Sequence, residues 1–230
     1  MSRIFCVLGA ERSGTNYVAL LVKKNLNLTS TTSVNPNLCT NSWLLENEIS
    51  LLRNRNVLLH PSCKIPHWKH SPPTHSFLFG RNLAYVAVVK NPYSWYISYK
   101  RFAPFHENKP DASVAPSIKR WNTLNKSYLK YNQSNKNLCL LRYEDLVLDP
   151  TEEVGKISRK YKIHFEKQKF ISVTNRVHTG LQEVPFYSDD ELKFDNPFTF
   201  YHDKLSEKDI SQINSNVDLA LMEDFNYSIL

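Results

Sequence analysis

Residues 9–17, with the sequence GAERSGTNY, have the types and spacing expected of a loop that binds a phosphate-like anion. A β-branched and aromatic apolar run at 4–8 precedes this loop, and apolar residues at helical spacing follow it. Backbone N–H groups of a glycine-containing turn and of a helix N-terminus can bind an anion at such a position. Arg12 adds a positive charge, and the neighbouring serine and threonine add hydroxyl groups.

The loop begins as a Walker A loop does, with four residues separating Gly9 from Gly14. A nucleotide hydrolase then requires Lys and Ser/Thr, which act on the β- and γ-phosphates and Mg²⁺. Thr15 and Asn16 occupy those positions, and the positive charge lies before the second glycine. We therefore expect a single phosphate-like group and no required metal ion. A nucleotide kinase acting on Mg-ATP is disfavoured for the same reason.

Buried apolar runs alternate with helical patterns along the rest of the chain. The strands are predicted at 4–8, 83–89 and 138–141, and the helices at 17–26, 93–102, 118–131, 151–161 and 206–221. A Pro-rich loop is predicted at 103–116. Continuous apolar strands separated by helices indicate an α/β fold, a three-layer α/β/α domain with a central parallel sheet. We expect a single domain over residues 1–230, with ligands at the carboxyl ends of the strands.

The chain is basic, with a formal net charge of +7. A basic surface attracts polyanions, but the charge is not gathered in one block, so we expect no nucleic-acid partner. The first apolar run is too short for a membrane span or a signal peptide, which predicts a cytoplasmic protein without a membrane span.

Residues 12–17 resemble the 5′-phosphosulfate loop of the sulfotransferase family, Lys/Arg-Ser-Gly-Thr-x-aromatic. The resemblance implies a P-loop NTPase-like sulfotransferase fold and the donor 3′-phosphoadenosine 5′-phosphosulfate (PAPS), with 3′-phosphoadenosine 5′-phosphate (PAP) as product. It implies that the 5′-phosphosulfate is held by Arg12, Ser13, Gly14, Thr15 and Asn16. Tyr17 is then an aromatic platform near the adenine, or alternatively a core residue.

Two later segments are similar to further signatures of the same family. Lys90 stands where the family has an arginine, and Ser98 follows eight residues later, so the pair would bind the 3′-phosphate. Lysine in place of arginine loses the bidentate fork. The sequence LLRYEDLVLDP then implies that Tyr143 lies near the adenine, while Glu144 and Asp145 cap and brace the following helix.

The segment containing Lys69 and His70 resembles the catalytic Lys-His region of sulfotransferases. The resemblance implies that His70 is the base and that Lys69 acts on the bridging oxygen and the sulfuryl group together with Arg12. His67, with His60 further behind, is an alternative base. Another alternative is the carboxylate pair Glu46 and Glu48.

The family's late Arg-Lys-Gly loop has no counterpart in the sequence, and Arg176 is the best substitute. We expect sulfuryl transfer to a hydroxyl or amine of a small-molecule or carbohydrate acceptor. The alternative is a non-catalytic nucleotide- or polyanion-binding protein on the same fold.

Overall fold

The computed structural model describes residues 3–30, 56–59, 69–73, 82–102, 113–134, 137–174, 176–177, 183–184 and 204–230. The strands are β1 (Ile4–Gly9), β2 (Thr29–Ser30), β3 (Val57–Leu58), β4 (Leu83–Val89), β5 (Leu138–Arg142), β6 (Arg176–Val177) and β7 (Glu183–Val184). The helices are α1 (Thr15–Asn25), α2 (Pro92–Phe102), α3 (Val114–Ser134), α4 (Tyr143–Leu148), α5 (Pro150–Tyr161), α6 (Glu207–Asn216) and α7 (Leu219–Asp224). A short 3₁₀ helix covers Lys167–Lys169.

A central parallel sheet confirms the predicted α/β class. Among the described residues its strand order is β2-β3-β1-β4-β5, and every pairing in it is parallel. Strands β6 and β7 form a separate antiparallel pair.

Helices cover both faces of this sheet because side chains of β1 alternate between two apolar clusters. Ile4, Cys6 and Leu8 pack in a cluster that includes residues of α2, α3, α6 and α7. Phe5 and Val7 pack in a second cluster with residues of α1, α4 and α5. A strand buried on both faces needs apolar residues at every position, which is why the continuous run at 4–8 predicted it.

The boundaries of two predicted helices were wrong. Helix α3 begins at Val114 rather than at 118, so Pro116 lies in its first turn and not in a loop. Proline is tolerated there because the first N–H groups of a helix have no intrahelical acceptor. The single helix predicted at 206–221 is two helices, because Asp218 accepts hydrogen bonds from the N–H groups of Ala220 and Leu221 and starts α7.

Strand register brings the predicted signatures to one edge of the sheet. Gly9, at the end of β1, pairs with Val88 of β4, and Val89 pairs with Arg142 of β5. The residues that follow these three adjacent parallel strands therefore share the carboxyl edge. The phosphate loop, Lys90 and Tyr143 are the residues brought together in this way.

Candidate active site

The phosphate loop turns sharply through two residues with left-handed backbone conformations. Arg12 has φ 67° and Gly14 has φ 90°. A Cβ atom added to Gly14 would lie 2.5 Å from the ring of Tyr143, so both the conformation and the close approach require glycine. This backbone conformation is unfavourable for arginine. The side chain of Arg12 is exposed.

Ser13 shapes the loop from inside. Its N–H group donates to the carbonyl of Ala10 over 3.1 Å, and its hydroxyl donates to the same carbonyl over 2.7 Å. The first helical hydrogen bond of α1 runs from the N–H of Val18 to Gly14. The N–H groups of residues 14–17 therefore precede the helical ladder, at the end of α1 that favours anions.

Glu11 is a loop residue that the sequence did not single out. Its side chain is only 6% exposed and accepts two hydrogen bonds from Arg120 of α3, from Nε over 3.0 Å and from an Nη over 2.5 Å. Its backbone carbonyl accepts the indole N–H of Trp95 over 2.6 Å. Glu11 is therefore anchored through both its side chain and its backbone. Sequence spacing gives no signal for a contact between residues 109 positions apart.

Lys69 and His70 lie against the phosphate loop. The N–H of Gly9 donates to the carbonyl of Lys69 over 3.1 Å, and His70 Nδ1 is 2.7 Å from the carbonyl oxygen of Gly9. A carbonyl oxygen can only accept, so Nδ1 carries the proton in this contact and the lone pair of the neutral ring lies on Nε2. The ammonium of Lys69 donates to the side-chain oxygen of Asn16.

Lys90 and Ser98, which the resemblance assigns together to the 3′-phosphate, are in contact. Lys90 is 7% exposed, and its ammonium donates to the Ser98 hydroxyl over 3.1 Å. The same ammonium lies 4.8 Å from the centre of the Tyr143 ring. The Ser98 hydroxyl donates to the carbonyl of Ser94 one turn earlier in α2. A cation at a strand end and a hydroxyl on the next helix are thus held side by side.

Burial lowers the pKa of both lysines. It lowers the pKa of Lys69 to about 8, an effect that Arg12 adds to and Glu11 opposes. It also lowers the pKa of Lys90 to about 8, where Glu144 opposes the shift and Arg12 adds to it. Arg12 thus repels both lysines at the carboxyl edge, and an anion placed among these cations would relieve that repulsion.

Neither Glu144 nor Asp145 caps the following helix, so that expectation was wrong; Asp149 caps α5 by accepting from the N–H of Glu152, and Asp145 accepts two hydrogen bonds from Arg142. Glu144 is fully buried and accepts hydrogen bonds from the N–H of Asn91 over 3.0 Å and from the Tyr227 hydroxyl over 2.8 Å. Burial raises its pKa, and these two hydrogen bonds oppose that shift. Glu144 therefore fixes the residue that follows Lys90 along the chain.

Tyr17 and Tyr143 contact each other edge to face, with ring centres 6.4 Å apart. Tyr143 is buried, whereas Tyr17 is half-buried. The backbone of Arg176 lies in β6, whose next residue, Val177, accepts a hydrogen bond from the Asn16 amide over 3.4 Å. Arg176 is therefore close to the phosphate loop in the fold, and its side chain lies outside the described part of the structure.

The alternative bases lie outside the described residues, namely His60, His67, Glu46 and Glu48. Within the described residues, no group of three His, Cys, Asp or Glu side chains could hold a metal ion. The helices of that same part are all too short or too polar to span a bilayer.

Solved structures with the same fold include several sulfotransferases. The sulfotransferase domain of the Synechococcus olefin synthase is 16% identical, with a TM-score of 0.57, over 100% of this chain and 96% of that chain. A mouse sulfotransferase complexed with PAP is 15% identical, with a TM-score of 0.56, over 96% and 88%. Retinol dehydratase in complex with androsterone and inactive cofactor PAP is 13% identical, with a TM-score of 0.54, over 96% and 81%.

At these identities the structural likeness establishes the fold alone. The search of curated proteins found no match to this chain. A family model is more specific, because the one described as "Sulfotransferase domain" matches residues 3–180, which is well over half of the chain. Those residues include the phosphate loop, Lys69 and His70, Lys90 and Ser98, and Tyr143. The chain therefore belongs to the sulfotransferase family.

Proposed function

We propose that this protein transfers a sulfuryl group from PAPS to a hydroxyl or amine of a small-molecule or carbohydrate acceptor. The observation that carries the proposal is that two sets of cationic and hydrogen-bonding groups, the two proposed walls of the donor site, lie at one sheet edge. One wall is the phosphate loop with Arg12, and the other is the hydrogen-bonded pair Lys90 and Ser98. PAPS offers a 5′-phosphosulfate to the first wall and a 3′-phosphate to the second. The PAP held by two proteins of the same fold supports this donor, and the androsterone of one supports a small-molecule acceptor.

The loop residues bind the 5′ end of the donor in this proposal. Arg12 supplies charge, and the N–H groups of Gly14, Thr15 and Asn16 supply hydrogen-bond donors ahead of the α1 ladder. Ser13 has a different part, because its hydroxyl is committed to Ala10 and holds the turn in shape.

Residues of neighbouring elements supply the remaining proposed contacts with PAPS. Tyr17 and Tyr143, which touch edge to face, are the aromatic groups proposed to lie beside the adenine. Arg176 is the proposed late cation of the donor site, and the contact of β6 with Asn16 of the phosphate loop supports a position beside PAPS.

His70 is the proposed base. Its Nε2 accepts the acceptor's proton while the acceptor oxygen or nitrogen bonds to sulfur. The S–O bond to the 5′-phosphate breaks in line, and its electron pair leaves with PAP. Lys69 and Arg12 stabilise the charge that develops on the bridging oxygen and the sulfuryl oxygens. The hydrogen bond of Nδ1 to Gly9 supports this role, because it holds the ring in the tautomer that a base requires.

Two measurements test the function. Calorimetry with PAP, with 5′-AMP as a comparison, is expected to show micromolar PAP binding that requires the 3′-phosphate. Radiolabelled PAPS is then incubated with phenols, alcohols, amines and sulfatable oligosaccharides, and label transfer is expected for one class. Failure to bind PAP at millimolar concentration would overturn the proposal.

The departure at position 90 favours one other candidate, a non-catalytic nucleotide-binding protein. Lysine binds a phosphate as a point charge and lacks the bidentate fork of arginine. This candidate predicts PAP binding without label transfer to any acceptor, and without PAP release from PAPS above the uncatalysed rate. Turnover with any acceptor excludes it.

A further inference from the structure

Two adjacent residues of α3 contact the two walls of the proposed donor site, one residue for each wall. Arg120 binds the Glu11 carboxylate of the phosphate loop through two hydrogen bonds. Trp121 donates its indole N–H to the backbone carbonyl of Lys90 over 2.9 Å. One turn of one helix is therefore bonded both to the loop after β1 and to the residue after β4.

The contact between Arg120 and Glu11 lies next to a left-handed backbone conformation in the phosphate loop. Arg12 follows Glu11 directly and has φ 67°, a conformation that arginine adopts only when its surroundings enforce it. The Glu11 carboxylate is nearly buried, and the Arg120 fork balances its charge through two direct hydrogen bonds. Trp95 of α2 holds the carbonyl of the same residue, which leaves Glu11 little freedom to move.

The contact between Trp121 and Lys90, at the end of β4, is equally well fixed. Trp121 is fully buried and packs edge to face against Phe225 of the C-terminal segment. Its hydrogen bond fixes the carbonyl of Lys90, while Glu144 fixes the N–H of the next residue, Asn91. The backbone on which Lys90 is carried is thus anchored on both sides of one peptide bond.

We propose that Arg120 and Trp121 are positioning residues that set the spacing between the two donor walls, so that α3 determines how well a two-phosphate nucleotide is bound. The inference rests on the proposed function, because it assigns the 5′ and 3′ groups of the donor to these two walls. Both residues act through others: Arg120 through Glu11 and the loop, Trp121 through the main chain of Lys90.

Four variants test the proposal by calorimetry with PAP, which contacts both walls, and with 5′-AMP, which lacks the 3′-phosphate. Arg120→Met should weaken PAP and AMP alike by about 10-fold or more, because the shared 5′ wall loses its support. Arg120→Lys keeps the charge without the fork and should recover part of the loss. Trp121→Phe keeps one aromatic ring but loses the N–H and part of the indole volume, and it should weaken PAP about 3- to 10-fold while changing AMP less than 2-fold.

Lys126→Met is the matched control, because Lys126 lies on the same helix in a solvent-exposed ion pair with Asp218. It should leave both affinities within 2-fold of wild type. Affinities within 2-fold of wild type for both Arg120→Met and Trp121→Phe would overturn the proposal. Fewer binding-competent molecules at unchanged affinity would also overturn it, because that result shows a purely structural role. If wild type binds neither nucleotide, the proposed function fails instead.

Discussion

Lys69 and Lys90 contact different groups near the phosphate loop and share one electrostatic property. Burial lowers the pKa of each to about 8, and Arg12 contributes to the shift at both. A carboxylate opposes the shift in each case, Glu11 at Lys69 and Glu144 at Lys90. Their charges alone therefore do not distinguish what the two lysines do.

The groups that each lysine contacts do distinguish Lys69 from Lys90. Lys90 follows strand β4 and is fixed by Ser98 and by the ring of Tyr143. Lys69 lies outside helices and strands, where its ammonium contacts Asn16 and the next residue is the proposed base. A cation in a fixed cradle suits recognition of a phosphate that does not react, whereas a cation beside a base suits the reacting group. We therefore expect the Lys69 side to control turnover and the Lys90 side to control donor affinity.

The largest effect is expected from His70→Ala. Loss of a general base lowers the rate by about 100- to 10,000-fold, which a PAPS turnover assay would measure as a fall in kcat. PAP affinity should change less than 3-fold by calorimetry. His164→Ala is the control, since His164 is an exposed histidine paired with Glu166. Full turnover by His70→Ala would remove His70 as the base and direct attention to His67.

Replacement of Lys69 is expected to have the next largest effect. Lys69→Met removes a charge that would stabilise the leaving oxygen, so kcat should fall about 100-fold while PAP affinity changes only about 3-fold. Single-turnover kinetics with saturating PAPS would measure the rate of the bound donor. A large loss of PAP affinity with an unchanged single-turnover rate would contradict the division of roles between the two lysines.

Lys90→Met should show the opposite pattern. PAP affinity is expected to fall about 10- to 50-fold, because a buried charge that binds a phosphate is lost. Affinity for 5′-AMP, which lacks the 3′-phosphate, should change little. Lys100→Met is the control, since Lys100 lies on the same helix as Ser98 and forms an exposed ion pair with Asp209. It should leave the affinities for PAP and AMP unchanged. Equal losses for PAP and AMP would show that Lys90 does not read the 3′-phosphate.

A pH titration of PAP binding sharpens the comparison further. Both lysines lose their protons near pH 8 in the free protein, and an anionic ligand binds their charged forms. Binding therefore takes up protons, and PAP affinity should fall as pH rises through 8, by up to about 10-fold per pH unit through Lys90 and by only about 3-fold in all through Lys69. Lys90→Arg stays charged, so the slope between pH 8 and pH 9 should decrease. An identical slope in that variant would exclude Lys90 as a source of the pH dependence.

The smallest effect is expected from Tyr227→Phe. The variant removes one donor from the buried Glu144 carboxylate, at a cost of about 1–2 kcal/mol in the free energy of unfolding. PAP affinity should fall about 2- to 3-fold, because Glu144 anchors the backbone beside Lys90. Tyr161→Phe is the control, since it removes a hydroxyl that donates a hydrogen bond to the carbonyl of Tyr85, near the opposite edge of the sheet. Thermal unfolding should detect both variants, and calorimetry only Tyr227→Phe.

Most of the fold was predictable because its strands are buried on both faces. The runs at 4–8, 83–89 and 138–141 lie within β1, β4 and β5, and continuous apolar sequence is the direct consequence of that burial. The start of α3 was not predictable, because a proline inside the first turn has the same local preferences as a proline in a loop.

The sequence by itself determined the chemical groups of the site and their order along the chain. It placed Arg12 in a glycine turn ahead of a helix, and it placed Lys90 eight residues before Ser98, a spacing that a strand end followed by a helix brings together. These are local relations, set by backbone geometry over fewer than ten residues.

Only the tertiary structure decided which groups hold those residues in place. The Glu11–Arg120 pair and the Glu144–Tyr227 hydrogen bond join residues 109 and 83 positions apart. Parallel strands are separated in sequence by the helices that connect them, so the partners of residues at the carboxyl edge lie on elements that no local pattern identifies. The tautomer of His70 was decided in the same way, because it depends on a carbonyl 61 residues earlier.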